Sequence, residues 1–336
     1  MTLRPAELLK TLAGDYPPAT IALSEGTDPR IVQGALAAHA QGLAEIVLVG
    51  PELEVRAALK VDGGAEDAGI AIHDPRKSPL HQEFADAFFE LREKRGVTKE
   101  QAAQAVEDPL IYSALLVRLG YATGTVGGAV ATTSDVVRAA IQMIGKAPDA
   151  ALVSSFFLMY PPRSPLGDAR AMLYSDGGLV IDPTAQELAS IAAISAKSFT
   201  ALIRETPKVA MLSFSTKGSA RHDMVSKVTE ATEMVRAAEP ELAVDGELQF
   251  DAAFVPEIGT RKAPDSDIAG QANVMIFPSL DAGNIGYKIT QRIGGYDAIG
   301  PVMQGLNKPA NDLSRGCTAE DVTQMIAVTV LQARSG

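Results

Sequence analysis

The chain has 336 residues and a formal net charge of −11; that length exceeds what one hydrophobic core normally supports, and that charge excludes a general affinity for nucleic acid. An apolar share of 46% with 5% aromatics and no Trp describes a folded α/β protein with a core of Ala, Val, Ile and Leu, not a disordered chain. The single Cys317 excludes an internal disulfide, no apolar run approaches the roughly 18 residues of a membrane span, and no signal-peptide core follows Met1, so a cytoplasmic protein is expected.

In chain order, the apolar run at 20–23 precedes Ser24-Glu-Gly-Thr-Asp-Pro-Arg30, a turn in which Asp28 and Pro29 are placed to start a helix. Ile31, Ala35, Leu36 and Ala38 keep helical spacing, and the run at 46–49 is the next strand. A helix over 52–59 and a strand over 69–72 continue an alternation typical of a parallel sheet. From Pro79 to Gly120 three helices are expected, with breaks near Gly96 and at Asp108-Pro109. Arg92, in the charged end of the first of them, has the ordinary reading of a solvated face residue.

Thr125 to Asp135 is a strand end of small residues running into Thr132, Thr133 and Ser134, with Asp135 opening a helix. It is either a capped strand-to-helix turn or a polar shelf where open α/β sheets bind ligands, with Arg138 one turn along. Lys146 to Asp149 reads as a crossing into a second α/β domain. There, strands are expected at 151–160, 169–174, 208–214, 245–248 and 273–281, with helices over 184–204 and 220–239. Gly283-Asn284 is expected to open a further helix on which Lys288 and Arg292 share one face. Two cations so placed ask for an anion or carboxylate to answer them.

The stretch from Gln304 to Asp321 is expected to be a turn-rich loop between a strand and the last helix. Ser314 and Arg315 offer a hydroxyl and a planar cationic fork near a helix N-terminus, a natural anion site. Thr318-Ala-Glu-Asp321 has the spacing of a capping box, so Asp321 is open to two readings, a cap and a proton acceptor. No Gly-x-x-x-x-Gly-Lys-Ser/Thr, His-Glu-x-x-His or Cys-x-x-Cys occurs, and no metal site is expected. Cys317, without an evident partner base, reads as packing before nucleophile.

Ala131 to Arg138, Phe277 to Lys288, Gln291-Arg292 and Lys308 to Cys317 together closely resemble the phosphate acetyltransferase family, over essentially the whole chain and at its short-form length. The resemblance implies two three-layer αβα domains of the isocitrate/isopropylmalate dehydrogenase kind with a cleft between them. Domain I would span 1–148 plus 306–336 and domain II 149–305, with the active site in the cleft. It further implies reversible transfer of acetyl between coenzyme A and inorganic phosphate by a homodimer with no permanently bound cofactor. Asp321 would be the general base, with Ser314 and Arg315 holding acetyl phosphate and its transition state. Arg292 would be a further phosphate ligand, and Arg92 and Arg138 would bind coenzyme A or substrate. Thr132, Thr133, Ser134, Asn284 and Lys288 complete the candidate binding set. A reactive cysteine of the family finds no counterpart in Ser154-Ser-Phe-Phe157, which agrees with direct transfer. Rival readings are a butyryl or other short-chain phosphate acyltransferase, a metal- and nicotinamide-dependent hydroxyacid dehydrogenase, and a non-catalytic coenzyme A-binding module.

Overall fold

A computed structural model describes residues 2–12, 18–63, 69–148, 150–162 and 169–335; Met1, Asp149 and Gly336, which bound the expected domains, lie outside them. Two units emerge, one of residues 4–148 and 306–336, the other of residues 1–3 and 149–305.

The first unit runs α1 (Pro5–Thr11), β1 (Thr20–Leu23), α2 (Pro29–Ala40), β2 (Glu45–Val49), α3 (Glu52–Val61), β3 (Ala71–His73), α4 (His81–Arg92), α5 (Lys99–Ala105), α6 (Pro109–Leu119), β4 (Gly124–Gly127) and α7 (Thr133–Met143). The second follows with β5 (Ser154–Tyr160), β6 (Met172–Ser175), α8 (Ala185–Ile203), β7 (Val209–Leu212), α9 (Asp223–Ala238), β8 (Val244–Leu248), α10 (Phe250–Phe254), α11 (Pro256–Lys262), β9 (Val274–Ile276), α12 (Leu280–Arg292) and β10 (Asp297–Gln304). The chain then completes the first unit with β11 (Ala310–Asp312) and α13 (Ala319–Ser335).

Among the described residues the first sheet has the order β11-β4-β1-β2-β3 and is parallel throughout. Its inner strands β1 and β2 are apolar on both faces, as burial between helix layers requires: Ile21, Ala22 and Leu23 are fully buried, as are Val126 of β4 and the core of α6. The winding matters for function. The chain goes from β1 outward to β2 and β3, then returns to the other side of β1 as β4, so the order reverses between β1 and β4. In open α/β sheets ligands bind beyond the carboxyl ends of the strands at such a reversal.

The second sheet has the order β10-β5-β6-β9-β7-β8, with β5 antiparallel to both its neighbours and the remaining pairs parallel. Pro301 in β10 falls at the register break between Ile299 and Val302, where a missing N–H is tolerated.

Several boundaries differ from the sequence expectation for identifiable reasons. The α7 helix starts at Thr133, because the Thr132 hydroxyl accepts from the Asp135 amide and makes Thr132 the cap; Asp135 therefore sits inside the first turn. Likewise α12 starts at Leu280, capped by Ser279, so Gly283 and Asn284 lie one turn in. Helices α10 and α11 were not expected; α10 has five residues and ends at Phe254, with Val255 between it and Pro256 at the start of α11, too little pattern for a 3.6-residue period to show. No helix among the described residues is long and apolar enough to cross a membrane.

Candidate functional site

Three strand ends, those of β1, β4 and β11, emerge together, since Leu23 pairs with Val126 and Asp312 with Gly127. The turn after each contributes to a connected set of side chains. After β1, the Glu25 carboxylate accepts from three consecutive amides after β4, those of Ala129 (2.7 Å), Val130 (3.0 Å) and Ala131 (2.7 Å). An anion nest in the loop before α7 is therefore already filled by a carboxylate of the chain itself.

Arg30 ties the third turn to the first two. Its guanidinium grips Asp28 through Nε and Nη2, and reaches the carbonyl oxygens of Ala129 (2.7 Å) and Arg315 (2.7 Å). The paired guanidinium holds the Asp28 carboxyl below its ordinary range. An Arg in the first turn of α2 sits at the positive end of a helix dipole, an unfavourable place unless a carboxylate answers it. Asp28 does, and the sequence signal for the brace is this misplaced cation.

The third turn holds the candidates the sequence singled out. Ser314 and Arg315 are exposed; the Ser314 hydroxyl accepts from the Gly316 amide at 3.2 Å. Among the described residues the Arg315 guanidinium has no ion pair or hydrogen bond, so its fork is open to an anion. Cys317 is buried, and burial pushes its thiol up from the ordinary value, which suits packing and not nucleophilic attack.

At the start of α13 the capping box forms. Asp321 Oδ2 accepts from the Thr318 amide (2.8 Å) and hydroxyl (2.9 Å), while the Asp321 amide donates to the Thr318 hydroxyl. One carboxylate oxygen is thus used by the helix; Oδ1 takes no hydrogen bond among the described residues. A cap and a free acceptor oxygen coexist in one carboxylate.

Of the expected hydroxyl shelf, most is committed. Thr132 donates to Asp135 Oδ2 at 2.8 Å, and Thr133 donates to Asp312 Oδ2 at 2.6 Å; Ser134 remains exposed at the first turn. Asp135 is held below the ordinary carboxylate range by the Thr132 hydroxyl and by Arg138, its partner at 2.7 Å. Arg138 nevertheless lines an open hollow of about 460 Å³ together with Leu91, Arg92, Arg95, Ile141 and Gln142. The structure thus brings Arg92 and Arg138 together across the α4 and α7 surfaces and adds Arg95, which the sequence did not single out. Three cations among two apolar side chains suit a polyanion with an apolar part.

Asn284, Lys288 and Arg292 belong to the other unit. Gly283 sits where an added Cβ would fall 2.0 Å from the Asp176 carbonyl oxygen, and the Asn284 amide donates to the Gly177 carbonyl at 2.9 Å. Tyr287 stacks on Phe157 with ring centroids 3.8 Å apart. The seat itself is fixed by Asp176, whose carboxylate accepts from Ser155 and from the amides of Gly178, Leu179 and Val180. Lys288 donates to Asn284 Oδ1 at 2.7 Å, a neutral acceptor, so no carboxylate among the described residues answers the expected cation pair. Arg292, in the last turn, is exposed and makes no ion pair or hydrogen bond among the described residues, with the Tyr287 hydroxyl the group its charge acts on.

A sequence model for phosphate acetyl/butaryl transferases matches residues 8–330. The chain belongs to that family. A phosphate acetyltransferase of Paracoccus denitrificans is 48% identical over 316 residues, covering 94% of this chain and 95% of that protein. The crystal structure of a phosphotransacetylase from Streptococcus pyogenes superposes with a TM-score of 0.90 at 44% identity, over 98% of this chain and 97% of the other. A branched-chain phosphotransacylase from Enterococcus faecalis shares the fold at 17% identity and a TM-score of 0.68. The dehydrogenase-like α/β class holds as well, since a Salmonella typhimurium structure described as a dehydrogenase matches at a TM-score of 0.55 and 13% identity.

Proposed function

We propose that the protein is a phosphate acetyltransferase that moves acetyl reversibly between coenzyme A and inorganic phosphate, with coenzyme A a substrate and no permanently bound cofactor. The observation that carries this reading is the turn between β11 and α13, where an exposed hydroxyl, an unpaired guanidinium and a carboxylate with one free oxygen follow one another within eight residues, 314–321.

Acetyl phosphate offers its phosphoryl oxygens to the Arg315 fork; Arg292, exposed in the last turn of α12, is a further candidate for holding phosphate. Asp321 takes the thiol proton of coenzyme A as sulfur attacks the carbonyl carbon. A free thiol ionises near about 8.5, so most of it is protonated at neutral pH and a positioned base is useful. The Ser314 hydroxyl donates to the carbonyl oxygen as it becomes negative, a role worth roughly 10²–10³ in rate for one donor. The carbon–oxygen bond to phosphate then breaks, phosphate leaves with the electron pair, and the proton passes from Asp321 to bulk phosphate or water. Arg92, Arg95 and Arg138 hold phosphate groups of coenzyme A, with Leu91 and Ile141 beside its apolar parts. Ser134, Asn284 and Lys288 complete the proposed binding set, and Thr132 and Thr133 act by shaping the start of α7.

The deciding assay is phosphate-dependent release of free thiol from acetyl-CoA, with butyryl-CoA beside it. Faster release with acetyl-CoA is expected; faster release with butyryl-CoA would make the protein a butyryltransferase. Binding of coenzyme A without turnover would make it a binding module. For the hollow, Arg92→Ala and Arg138→Ala are each expected to raise the KM for coenzyme A by roughly tenfold, the value of one charge-assisted hydrogen bond, with little change in kcat. Unchanged KM in both would remove the hollow from the substrate site.

A homodimer in the cytoplasm completes the reading. Ile285, Ile289 and Ile293, 57%, 52% and 84% exposed, recur every four residues along α12 and just beyond it, and an apolar edge of this kind favours a covering partner. Light scattering on the wild type and on Ile289→Asp tests this: a dimer is expected for the first, and a dimer for both would place the interface elsewhere.

A further inference from the structure

Asp312, the last residue of β11, is 1% exposed and has no part in the scheme above. Its Oδ2 accepts from the Thr133 hydroxyl, and its Oδ1 has no hydrogen bond of its own among the described residues, since the nearby Leu313 amide donates to the Gly127 carbonyl at 2.7 Å. Burying a carboxyl with one orphan oxygen is expensive, and such a group calls for an explanation. Its place supplies one. On one side lies the first residue of α7; on the other, one residue downstream of Leu313, the exposed Ser314-Arg315 turn. Gly128, with φ of +100°, lets the carboxyl approach, because an added Cβ there would fall 2.0 Å from Oδ1.

We propose that Asp312 is a positioning residue for the acyl transfer, its carboxylate holding the Thr133 hydroxyl and so fixing the start of α7 against the turn that carries Ser314 and Arg315. This rests on the acetyltransferase reading. An ionised acceptor makes a shorter and stronger bond to the hydroxyl than a neutral acid does, so the clamp tightens when Asp312 loses its proton. Burial, with Glu25 adding like charge, raises the carboxyl to about 7. The charged group that acts on it is Glu25 from the turn after β1; of the other charges on the elements around it, Asp28 and Arg30 pair with each other, Asp135 and Arg138 pair within α7, Asp321 of α13 acts on Cys317, and Gly127 and Gly128 at the end of β4 contribute none.

The test compares wild type with Asp312→Asn, an isostere that cannot ionise, between pH 5.5 and 8.5 in the direction from acetyl phosphate to acetyl-CoA. The ratio of the two kcat values cancels the titration of substrates and of every shared group. The ratio is expected to stay within about threefold of unity at pH 5.5 and to rise to about tenfold at pH 8.5, a modest share of what misplacing a reacting group can forfeit, with its midpoint near 7. KM stays within about twofold, as expected when ground-state binding is untouched. A flat ratio in an active enzyme overturns this proposal alone, whereas an inactive wild type overturns the acetyltransferase reading together with it.

Thermal midpoints give a substrate-free reading. The native group keeps its proton between its unfolded value near 3.8 and about 7, so wild-type stability relative to Asp312→Asn falls as pH rises through that window and is level above it. The wild-type midpoint minus that of Asp312→Asn is expected to fall by up to about 10 °C across that window, and a constant difference overturns the proposal. Thr133→Val removes the same hydrogen bond from the other side. Its loss of kcat should not add to that of Asp312→Asn, and additive losses would show that the two residues act separately.

Discussion

Asp321→Asn lowers turnover by roughly 10²–10⁴-fold, the usual worth of general-base help, and leaves KM near the wild-type value. The geometry makes this a clean substitution. The helix uses only Oδ2 of Asp321, which accepts from the Thr318 amide and hydroxyl, and the carboxamide oxygen of Asn accepts both bonds. The cap therefore survives while the basic oxygen is lost. Thr318→Ala is the complementary change: it removes one cap partner, destabilises α13 by about 1 kcal/mol, and leaves the carboxylate in place. If Asp321 only caps, its Asn variant turns over like the wild type and the residue is returned to helix structure. If it is the base, turnover collapses in Asp321→Asn and is largely kept in Thr318→Ala. Steady-state kinetics and a thermal melt of each variant separate the cases.

Gly283→Ala gives the largest expected loss of stability, on the order of 3 kcal/mol or more, because the added methyl meets backbone that has no room to yield. The ideal Cβ falls 2.0 Å from the Asp176 carbonyl oxygen and 3.0 Å from its carbon, and Asp176 is held by Ser155 and three following amides. The helix must lift instead, breaking the Asn284 bond to Gly177 and the stack of Tyr287 on Phe157. Arg292, on the same helix, moves with it. The variant should therefore show a lowered thermal midpoint together with weakened use of phosphate. Gly42→Ala is the control, since nothing lies within 4 Å of its Cβ and only the left-handed backbone is strained. Equal midpoints for wild type and Gly283→Ala would mean that α12 is not seated as described.

Much of this was legible in the sequence where pattern and period agree. Helices α4, α5 and α6 follow the breaks at Gly96 and at Asp108-Pro109, because a left-handed glycine and an Asp-Pro start are local signals that tertiary contacts seldom override. Strand β11 was hidden. Ala310-Asn311-Asp312 is three residues long, follows a proline and carries two polar side chains, all of which argue for loop. It is a buried strand because Thr329 and Gln332 of α13 answer Asn311 at 2.9 and 2.7 Å, partners that spacing along the chain cannot reveal. For the same reason Arg30 passed as a turn residue and Asp312 as part of a polar run. Their roles exist only once turns far apart in sequence meet at one end of the sheet. Asp321 shows the limit from the other side: its spacing announced the cap, and the same spacing is silent on the oxygen left over.

The first unit closes on itself only through its last residues. Strand β11 lies beside β4, and α13 packs its buried face on α2 and β4, yet residues 149–305 are made between the two parts. During synthesis the intervening unit has all of its main segment available for folding before the first sheet receives its edge strand. Until then the carboxyl ends of β1 and β4 stand without the Arg30 contact to Arg315, and Gly34 lacks the Val322 side chain that fills the space against it. A nascent chain halted before Ala310 would therefore expose apolar surface of α2 and a raw edge on β4, so the interval before β11 and α13 are added is one of exposure to aggregation and to chaperones.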